Sequence, residues 1–560
     1  MDHRAIVTGH NFPKIATVGT EHAKVVFGCG RRMVPKHVQC ANDLLAANER
    51  GRPNLSACAT RRGPVAGQGP GSPQPCPLPV LPATGFRQHR GPGGADPQTF
   101  SMSQHHFEED KEMTALNSMW ERRDFVGTAL IASTGLILPA RAAGHAPAVV
   151  GAVGAMAASG TGAGTSGPGD GSIRPFKFHA ADADLADLKR RIAATRWPDA
   201  EIVPDYSQGV KLATMRKVAD YWEHVHDWRK AEAQLNAFPQ FITNIDGVDI
   251  HFIHVRSKYA NALPLIITHG WPGSIIEQTK VIEPLTNPTT YGGTEADAFD
   301  VVIPSLPGHG FSGKPAVLGW DPIRIAHAWI ALMQRLGYSR YVAQGGDWGN
   351  AVTEQMALIA PAELVGVHTN MPATVPNDIA AILGAGGPAP ATLSADERYA
   401  FDQLDTFYKH GLGYAQEMAG RPQTLYALAD SPIGLAAWML DHDARSQDLI
   451  ARVFNGAAEG LTRDDILDNV TLYWLTNTAV SSARLYWESK LAFFAPKGVK
   501  IPLGVSAFPD EIYTAPQSWA ERAYPKLVHY NRLPKGGHFA AWEQPKAFTE
   551  ELRATFKTLR

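Results

Sequence analysis

The sequence predicts an α/β fold in which helices flank a mostly parallel sheet. Short apolar runs of strand length, 263–268 and 300–303, precede a stretch of helical spacing over 323–336. Strands that alternate with helices in this way are typical of parallel sheets, because each parallel connection must cross back over the sheet. The most specific signal is the glycine-flanked turn 345–349, which separates an apolar run from a further helical stretch.

The remaining elements follow from the same periodicities. Apolar residues recur at helical spacing over 182–195 and 211–231, which predicts one helix in each range. Two alternating runs, 241–245 and 250–255, are joined by an Asp-Gly pair and predict a β-hairpin. Residues 373–495 are rich in helical patterns and interrupt the alternation, as a lid inserted above a sheet would.

Bulk composition limits the class of protein. Of the 560 residues, 44% are apolar and the formal net charge is −2, which suits a globular protein. Because there is no basic excess, nucleic acid is not expected as a partner. The cysteines are confined to the first part of the chain, at Cys29, Cys40, Cys58 and Cys76. The rest of the chain therefore has neither a disulfide framework nor a thiol nucleophile.

The first part of the chain does not have the pattern of a packed domain. Residues 1–118 cluster Pro and Gly without amphipathic periodicity, which predicts either a mostly disordered segment or upstream sequence absent from the native product. Residues 144–172 are rich in Gly, Ala and Ser and predict a flexible linker. The globular composition begins at Ile173 and continues to Arg560.

Residues 119–143 resemble a twin-arginine export signal, with two arginines, an apolar run and a small-residue end. The apolar run is shorter than the roughly 20 residues of a membrane span, so no stable span is predicted. Translation from Met113 or Met119 would put this signal at the N-terminus and predict an exported, periplasmic protein. Without such a start the segment is expected to be an Ala/Gly-rich internal linker or a membrane-anchoring segment, and the expected location is the cytoplasm.

The turn at 345–349 reads Gly-Gly-Asp-Trp-Gly, the small-x-nucleophile-x-small pattern of the nucleophile elbow in α/β-hydrolases. The nucleophile position holds Asp347 instead of serine. A carboxylate that attacks an acyl carbon gives a labile anhydride, whereas attack on an sp³ carbon gives an ester that water can hydrolyse. This residue therefore points away from esterases and proteases, towards epoxide or alkyl-halide chemistry.

A second loop suited to the same chemistry follows the apolar run 263–268. It reads His269-Gly270-Trp271-Pro272-Gly273, at the end of a strand where open α/β sheets bind ligands. In this fold the backbone N–H groups of Trp271 and Trp348 are expected to form an oxyanion hole. His269, Trp271 and Trp348 are the predicted substrate contacts.

The base and its acid are expected late in the chain, because this fold uses the order nucleophile, acid, histidine. His538, in Gly536-Gly537-His538-Phe539, is the predicted base. Two adjacent carboxylates, Asp510 and Glu511, follow the predicted strand 501–506. Spacing alone does not choose between them.

Residues 173–560 resemble the epoxide hydrolase family of the microsomal and juvenile-hormone type. The resemblance rests on several ordered motifs, namely 173–176, 227–241, 269–273, 345–349, 431–438 and 536–541. It implies that the chain combines an N-terminal epoxide hydrolase segment (173–260), an α/β-hydrolase core (261–372 and 496–560) and a helical lid (373–495). It also implies that Glu511 is the acid, that Asp510 is exposed, and that Tyr414 and Tyr486 donate hydrogen bonds to the epoxide oxygen.

The expected activity is hydrolysis of an apolar epoxide to a vicinal diol, through an ester on Asp347 that a neutral His538 helps water to cleave. No cofactor and no metal are expected; the substrate and water are the expected partners, and a homo-oligomer is left open. One alternative is a haloalkane dehalogenase, which uses the same aspartate, acid and histidine. A more remote alternative is a catalytically silent member of the fold that binds a hydrophobic ligand.

Overall fold

The structure, a computed structural model, describes residues 171–560. The predicted segments 1–118 and 119–143 lie outside this range, as does all of the predicted linker 144–172 except its last two residues. The disorder, export signal and linker assigned to them therefore stay predictions.

The predicted α/β fold with a mostly parallel sheet is confirmed. Nine strands form one sheet in the order β1-β2-β3-β5-β4-β6-β7-β8-β9. Their bounds are β1 Arg174–Phe176, β2 Gln240–Ile245, β3 Val248–Val255, β4 Leu263–Thr268, β5 Phe299–Pro304, β6 Tyr341–Gly345, β7 Leu364–Thr369, β8 Leu503–Ala507 and β9 Leu527–Arg532. The pairs β1–β2, β2–β3 and β3–β5 are antiparallel, and all pairs from β5 to β9 are parallel.

The predicted hairpin is present and turns at Asp246 and Gly247. Both residues have left-handed backbone angles, with φ of 51° and 81°. A two-residue turn with positive φ at both positions matches the twist of the flanking strands, and an Asp-Gly pair accommodates it at low cost.

Seventeen α-helices accompany the sheet within residues 171–560. Six of them precede β7: α1 Asp182–Ala193, α2 Leu212–His224, α3 Trp228–Ala237, α4 Thr279–Thr286, α5 Pro322–Arg335 and α6 Trp348–Ile359. Eight lie between β7 and β8: α7 Asn377–Gly384, α8 Ala395–Thr406, α9 Gly413–Gly420, α10 Ala427–Asp430, α11 Pro432–Leu440, α12 Ala444–Phe454, α13 Arg463–Thr476 and α14 Ala479–Glu488. The last three are α15 Gln517–Ala523, α16 Ala540–Glu543 and α17 Pro545–Phe556.

The prediction of a single helix over 211–231 was wrong, because α2 ends at His224 and a separate helix, α3, begins at Trp228. The imidazole of His226 turns aside to contact the Asp468 carboxylate at 2.7 Å. The Asp227 carboxylate accepts a hydrogen bond from the Arg229 N–H and so caps α3. These two side chains make hydrogen bonds that a continuous helix would not allow, and the spacing of apolar residues does not reveal such bonds.

The central strands are buried on both faces, as parallel strands covered by helices are. Apolar residues of β4, β5 and β6 form the middle of the core, among them Leu265, Ile266, Ile267, Val301, Val302, Ile303, Val342 and Ala343. The carboxyl ends of β4, β6 and β8 lie at one edge, so the loops that follow them meet there.

The helical segment, residues 373–495, contains α7 to α14 and contacts the loop after β4. The side-chain amide of Asn469 donates to the carbonyl of Pro272 at 2.8 Å. The hydroxyl of Tyr473 donates to the carbonyl of Gly273 at 2.7 Å. Among residues 171–560, no helix has both the length and the apolar run that crossing a bilayer requires.

Candidate active site

Asp347 lies at the sharp turn between β6 and α6. Its backbone has φ 51° and ψ −128°, a conformation that is strained for any residue with a side chain. A Cβ at Gly345 would collide with the carbonyl of Gly349, and one at Gly349 would collide with that of Thr268. The glycines therefore let strand and helix approach closely enough to direct Asp347 out of the turn.

Two backbone N–H groups hold the carboxylate of Asp347. The N–H of Trp271 donates to Oδ1 at 2.7 Å, and the N–H of Trp348 also donates to this carboxylate. These are the two groups predicted for the oxyanion hole. Burial raises the pKa of Asp347 above its usual value, and this shift is opposed by His538, His442 and the two N–H donors.

His538 connects the nucleophile to a buried acid. Its Nδ1 lies 2.7 Å from Oε1 of Glu511, and its Nε2 lies 4.0 Å from Oδ2 of Asp347. The loops that carry Glu511 and His538 are joined where the N–H of Asp510 donates to the carbonyl of Gly536 at 3.0 Å. This backbone contact brings the two side chains together although 27 positions separate them.

The neighbouring carboxylate, Asp510, points elsewhere. Its side chain is 49% exposed and lies 3.9 Å from Arg445, whereas the side chain of Glu511 is 1% exposed. The residue implied by the family resemblance thus occupies the position beside the base. The side chain of Asp510, which the resemblance implies to be exposed, is half-exposed, while its backbone forms a bridge with Gly537.

The charges around His538 favour its protonated form before reaction. Burial alone would lower its pKa, but the charge and hydrogen bond of Glu511 and the charges of Asp347 and Asp443 outweigh burial and raise it to about 10. The resting imidazole is therefore a cation between two carboxylates at neutral pH.

A further carboxyl group fixes the loop that carries the base. Glu543 accepts hydrogen bonds from the N–H groups of Gly537 and Phe539, at 3.0 and 3.1 Å. These contacts hold the backbone on both sides of His538. Its orientation therefore does not depend on Glu511 alone.

Tyr414 and Tyr486 come from the helical segment and lie above the nucleophile. The ring of Tyr414 stacks on Trp271 with centroids 5.0 Å apart, and the ring of Tyr486 meets Trp348 edge-on at 4.7 Å. The two phenol rings lie 6.1 Å apart. Burial and the charge of Asp347 raise both pKa values well above their usual range, so both hydroxyls stay protonated and able to donate.

The hydrogen bonds of His269, a predicted substrate contact, engage both of its ring nitrogens. Its Nδ1 donates to the carbonyl of Gly270 at 2.9 Å, and its Nε2 accepts from the N–H of Leu306 at 3.1 Å. Burial lowers the pKa of this ring to about 4. Both nitrogens are occupied within the protein, so His269 shapes the loop and leaves no polar atom for a ligand.

Two buried polar residues at the site were not foreseen. His442 packs on His538 with ring centroids 4.1 Å apart, and its Nδ1 lies 2.9 Å from the carboxylate of Asp443. Polar atoms of His442, His538 and Asp347 lie within 4.8 Å of one another. Glu277, the second, is 8% exposed. Neither residue belongs to a motif, and only their tertiary position reveals them.

Two family models match the chain. The model described as "Epoxide hydrolase N terminus" matches residues 173–278, and the model described as "alpha/beta hydrolase fold" matches residues 264–468. The first match covers β1 to β4, and the second covers the elbow and most of the helical segment.

Individual relatives match a larger share of the chain. A Stigmatella aurantiaca protein is 50% identical over 391 residues, which are 69% of this chain and 86% of that protein. "Epoxide hydrolase 1" of Oryctolagus cuniculus is 36% identical over 68% of this chain and 88% of its own length. The chain belongs to the epoxide hydrolase family. The family assignment made from the sequence motifs is thereby confirmed.

A solved structure agrees with this assignment. The crystal structure of juvenile hormone epoxide hydrolase from the silkworm Bombyx mori superimposes with a TM-score of 0.62 at 30% identity. The match covers 70% of this chain and 95% of that one. Almost the whole silkworm enzyme therefore superimposes on this epoxide hydrolase family member.

Proposed function

We propose that the protein hydrolyses apolar epoxides to vicinal diols through a covalent ester on Asp347. The observation that carries the proposal is a buried aspartate at the elbow, held by two N–H groups and facing a histidine–glutamate pair. A carboxylate in this position attacks an sp³ carbon and gives an ester that the same site can hydrolyse.

In the first step, one oxygen of Asp347 attacks an epoxide carbon from the side opposite the C–O bond that breaks. The electron pair of that bond moves to the epoxide oxygen, where the hydroxyls of Tyr414 and Tyr486 donate hydrogen bonds. Donors directed at a developing charge typically contribute roughly 10²–10³ in rate. The helical segment acts as a lid that carries both donors.

The alkoxide formed in this step must take up one proton. The imidazolium of His538 supplies it, relayed through the tyrosines or through water, and becomes neutral. Alkylation removes the negative charge of Asp347, which is one of the charges that raises the pKa of His538. Loss of this charge favours release of the proton, so the ring becomes a base only after the ester exists.

In the second step, neutral His538 removes a proton from water, and the hydroxide adds to the ester carbonyl of Asp347. The N–H groups of Trp271 and Trp348, which already contact this carboxyl group, hold the oxyanion. The acyl C–O bond then breaks, and the leaving alkoxide takes the proton from His538. Ionisation of the regenerated acid restores the carboxylate of Asp347 and the imidazolium.

The walls of the site favour an apolar substrate. Aromatic rings surround the nucleophile, since Tyr414 stacks on Trp271 and the ring of Tyr486 meets Trp348 edge-on. Contact between such rings and an apolar ligand removes apolar surface from water and so stabilises the bound state.

Product analysis of the full-length chain tests the proposal. Styrene oxide and a chloroalkane are offered separately, with Asp347→Ala as the control. Diol from the epoxide that is absent with the variant supports the proposal. Halide release without diol would instead identify dehalogenase chemistry. No product from either compound, or from a wider epoxide panel, would favour the silent ligand binder.

A further inference from the structure

A small polar cavity lies beside Asp347. Its volume is about 20 Å³, and its polar lining comes from Glu277, Gln278, Asp347, Asn370 and His538. One water molecule needs roughly 10–15 Å³ on this measure and makes about three hydrogen bonds. The cavity therefore has the size and the polar groups for one water.

The lining of the cavity does not include the two tyrosines, Tyr414 and Tyr486, whereas it does include His538 and Asp347. An epoxide attacked by Asp347 lies towards the phenols, because their hydroxyls hold its oxygen. A water in the cavity would approach the ester carbonyl from another direction and would not have to displace the bound alkyl group.

One wall of the cavity carries an acceptor without a partner. Gln278 is 5% exposed, and its Oε1 has no hydrogen-bond partner in the described part of the chain. Its Nε2 donates to Oε1 of Glu277 at 2.8 Å. A buried amide oxygen left without a donor is costly, so a hydrogen-bond donor in the cavity would satisfy it.

Glu277 is the unusual residue in this wall. It is 8% exposed, it accepts a hydrogen bond from the N–H of Gly270, and the nearby charge of His538 only partly opposes the effect of burial on its pKa. Burial raises its pKa to about 8. At neutral pH it is mostly an uncharged carboxyl group, which both donates and accepts hydrogen bonds.

We propose that Glu277 and Gln278 hold the hydrolytic water in this cavity, between His538 and the ester carbonyl of Asp347. One O–H of the water points to Nε2 of His538, the other is accepted by Gln278 or Glu277, and a lone pair faces the carbonyl carbon. Glu277 is thus a positioning residue for ester hydrolysis alone. The inference rests on the covalent mechanism proposed above.

Single-turnover kinetics with styrene oxide tests this role, because alkylation and hydrolysis are measured separately by quenched intact mass. Glu277→Leu should slow ester hydrolysis by about 10²-fold while changing alkylation by less than about threefold. Glu277→Gln keeps a neutral hydrogen-bonding group and should stay within about threefold of the wild type in both steps.

Gln278→Leu should slow hydrolysis in the same direction, and Gln447→Leu is its matched control. Gln447 is also buried, and its Oε1 has no partner among residues 171–560, but it lies in the helical segment and does not line the cavity. The control should leave both steps unchanged.

Three outcomes would overturn the inference. Wild-type hydrolysis in Glu277→Leu would show that the carboxyl group does not hold the water. Equal slowing of both steps would assign Glu277 to support of the Gly270 loop, and so would failure of Glu277→Gln to retain hydrolysis. Absence of any ester, even in His538→Gln, would instead count against the covalent mechanism, so the two failures are distinguishable.

Discussion

The sheet edge and the helical segment both supply groups to Asp347, but they hold those groups differently. At the sheet edge, backbone N–H groups and buried carboxyls fix the reacting atoms, as at Trp271 and His538. In the helical segment, Tyr414 and Tyr486 are positioned mainly by contacts between aromatic rings. In the proposed mechanism the sheet edge thus provides covalent and proton-transfer chemistry, whereas the helices stabilise the leaving oxygen.

Removing the nucleophile is the largest expected effect on the sheet-edge side. Asp347→Ala should lower diol formation by at least about 10⁴-fold, because no group remains to form the ester. Intact mass should show no adduct with styrene oxide. An adduct retained in this variant would place the nucleophile elsewhere in the chain.

Replacing the base should separate the two steps. His538→Gln should still form the ester but hydrolyse it about 10²–10⁴-fold more slowly, since no base activates water. The mass of the protein should rise by that of one substrate molecule and stay there. Because the resting imidazolium also supplies a proton, alkylation should slow as well, but less than hydrolysis does.

The helical segment should show the opposite pattern. Tyr414→Phe and Tyr486→Phe should each slow alkylation by roughly 10²–10³-fold through loss of a donor to the alkoxide. Hydrolysis of the ester once formed should change little. Tyr408→Phe is the matched control, because Tyr408 belongs to the helical segment but packs against Phe407 and Phe494, away from Asp347. If hydrolysis slowed as much as alkylation, the division between the two regions would be wrong.

A smaller effect is expected from the acid beside the base. Glu511→Gln removes the charge that contributes most to raising the pKa of His538 to about 10. The pKa of His538 should therefore fall, and the imidazolium should lose its proton at a lower pH than in the wild type. Turnover should fall by about 10–10²-fold, with its alkaline limb moved to lower pH.

Asp510→Asn is the matched control for this change. Asp510 is half-exposed, and its carboxylate lies 3.9 Å from the guanidinium of Arg445. The substitution should lower the free energy of unfolding by no more than about 1 kcal/mol and leave turnover unchanged. An equal effect of both substitutions on the pH profile would contradict the assignment of Glu511.

Local sequence patterns determined a large part of this protein. The elbow was predictable because only glycine fits at 345 and 349, and this steric demand leaves a mark within five residues. The hairpin turn at Asp246 and Gly247 and the alternation of strands with helices were predictable for the same reason, since periodicity and turn chemistry act over a few positions. Together with the ordered motifs, these signals were sufficient for the fold class and the family.

Tertiary structure decided what depends on contacts between distant residues. The helix break at Asp227, the two engaged nitrogens of His269 and the place of His442 against His538 all arise from partners far along the chain or from loop packing. The raised pKa values of His538 and Glu277 have the same origin. A pKa depends on burial and on nearby charge, and folding sets both by bringing together groups that no spacing in the sequence relates.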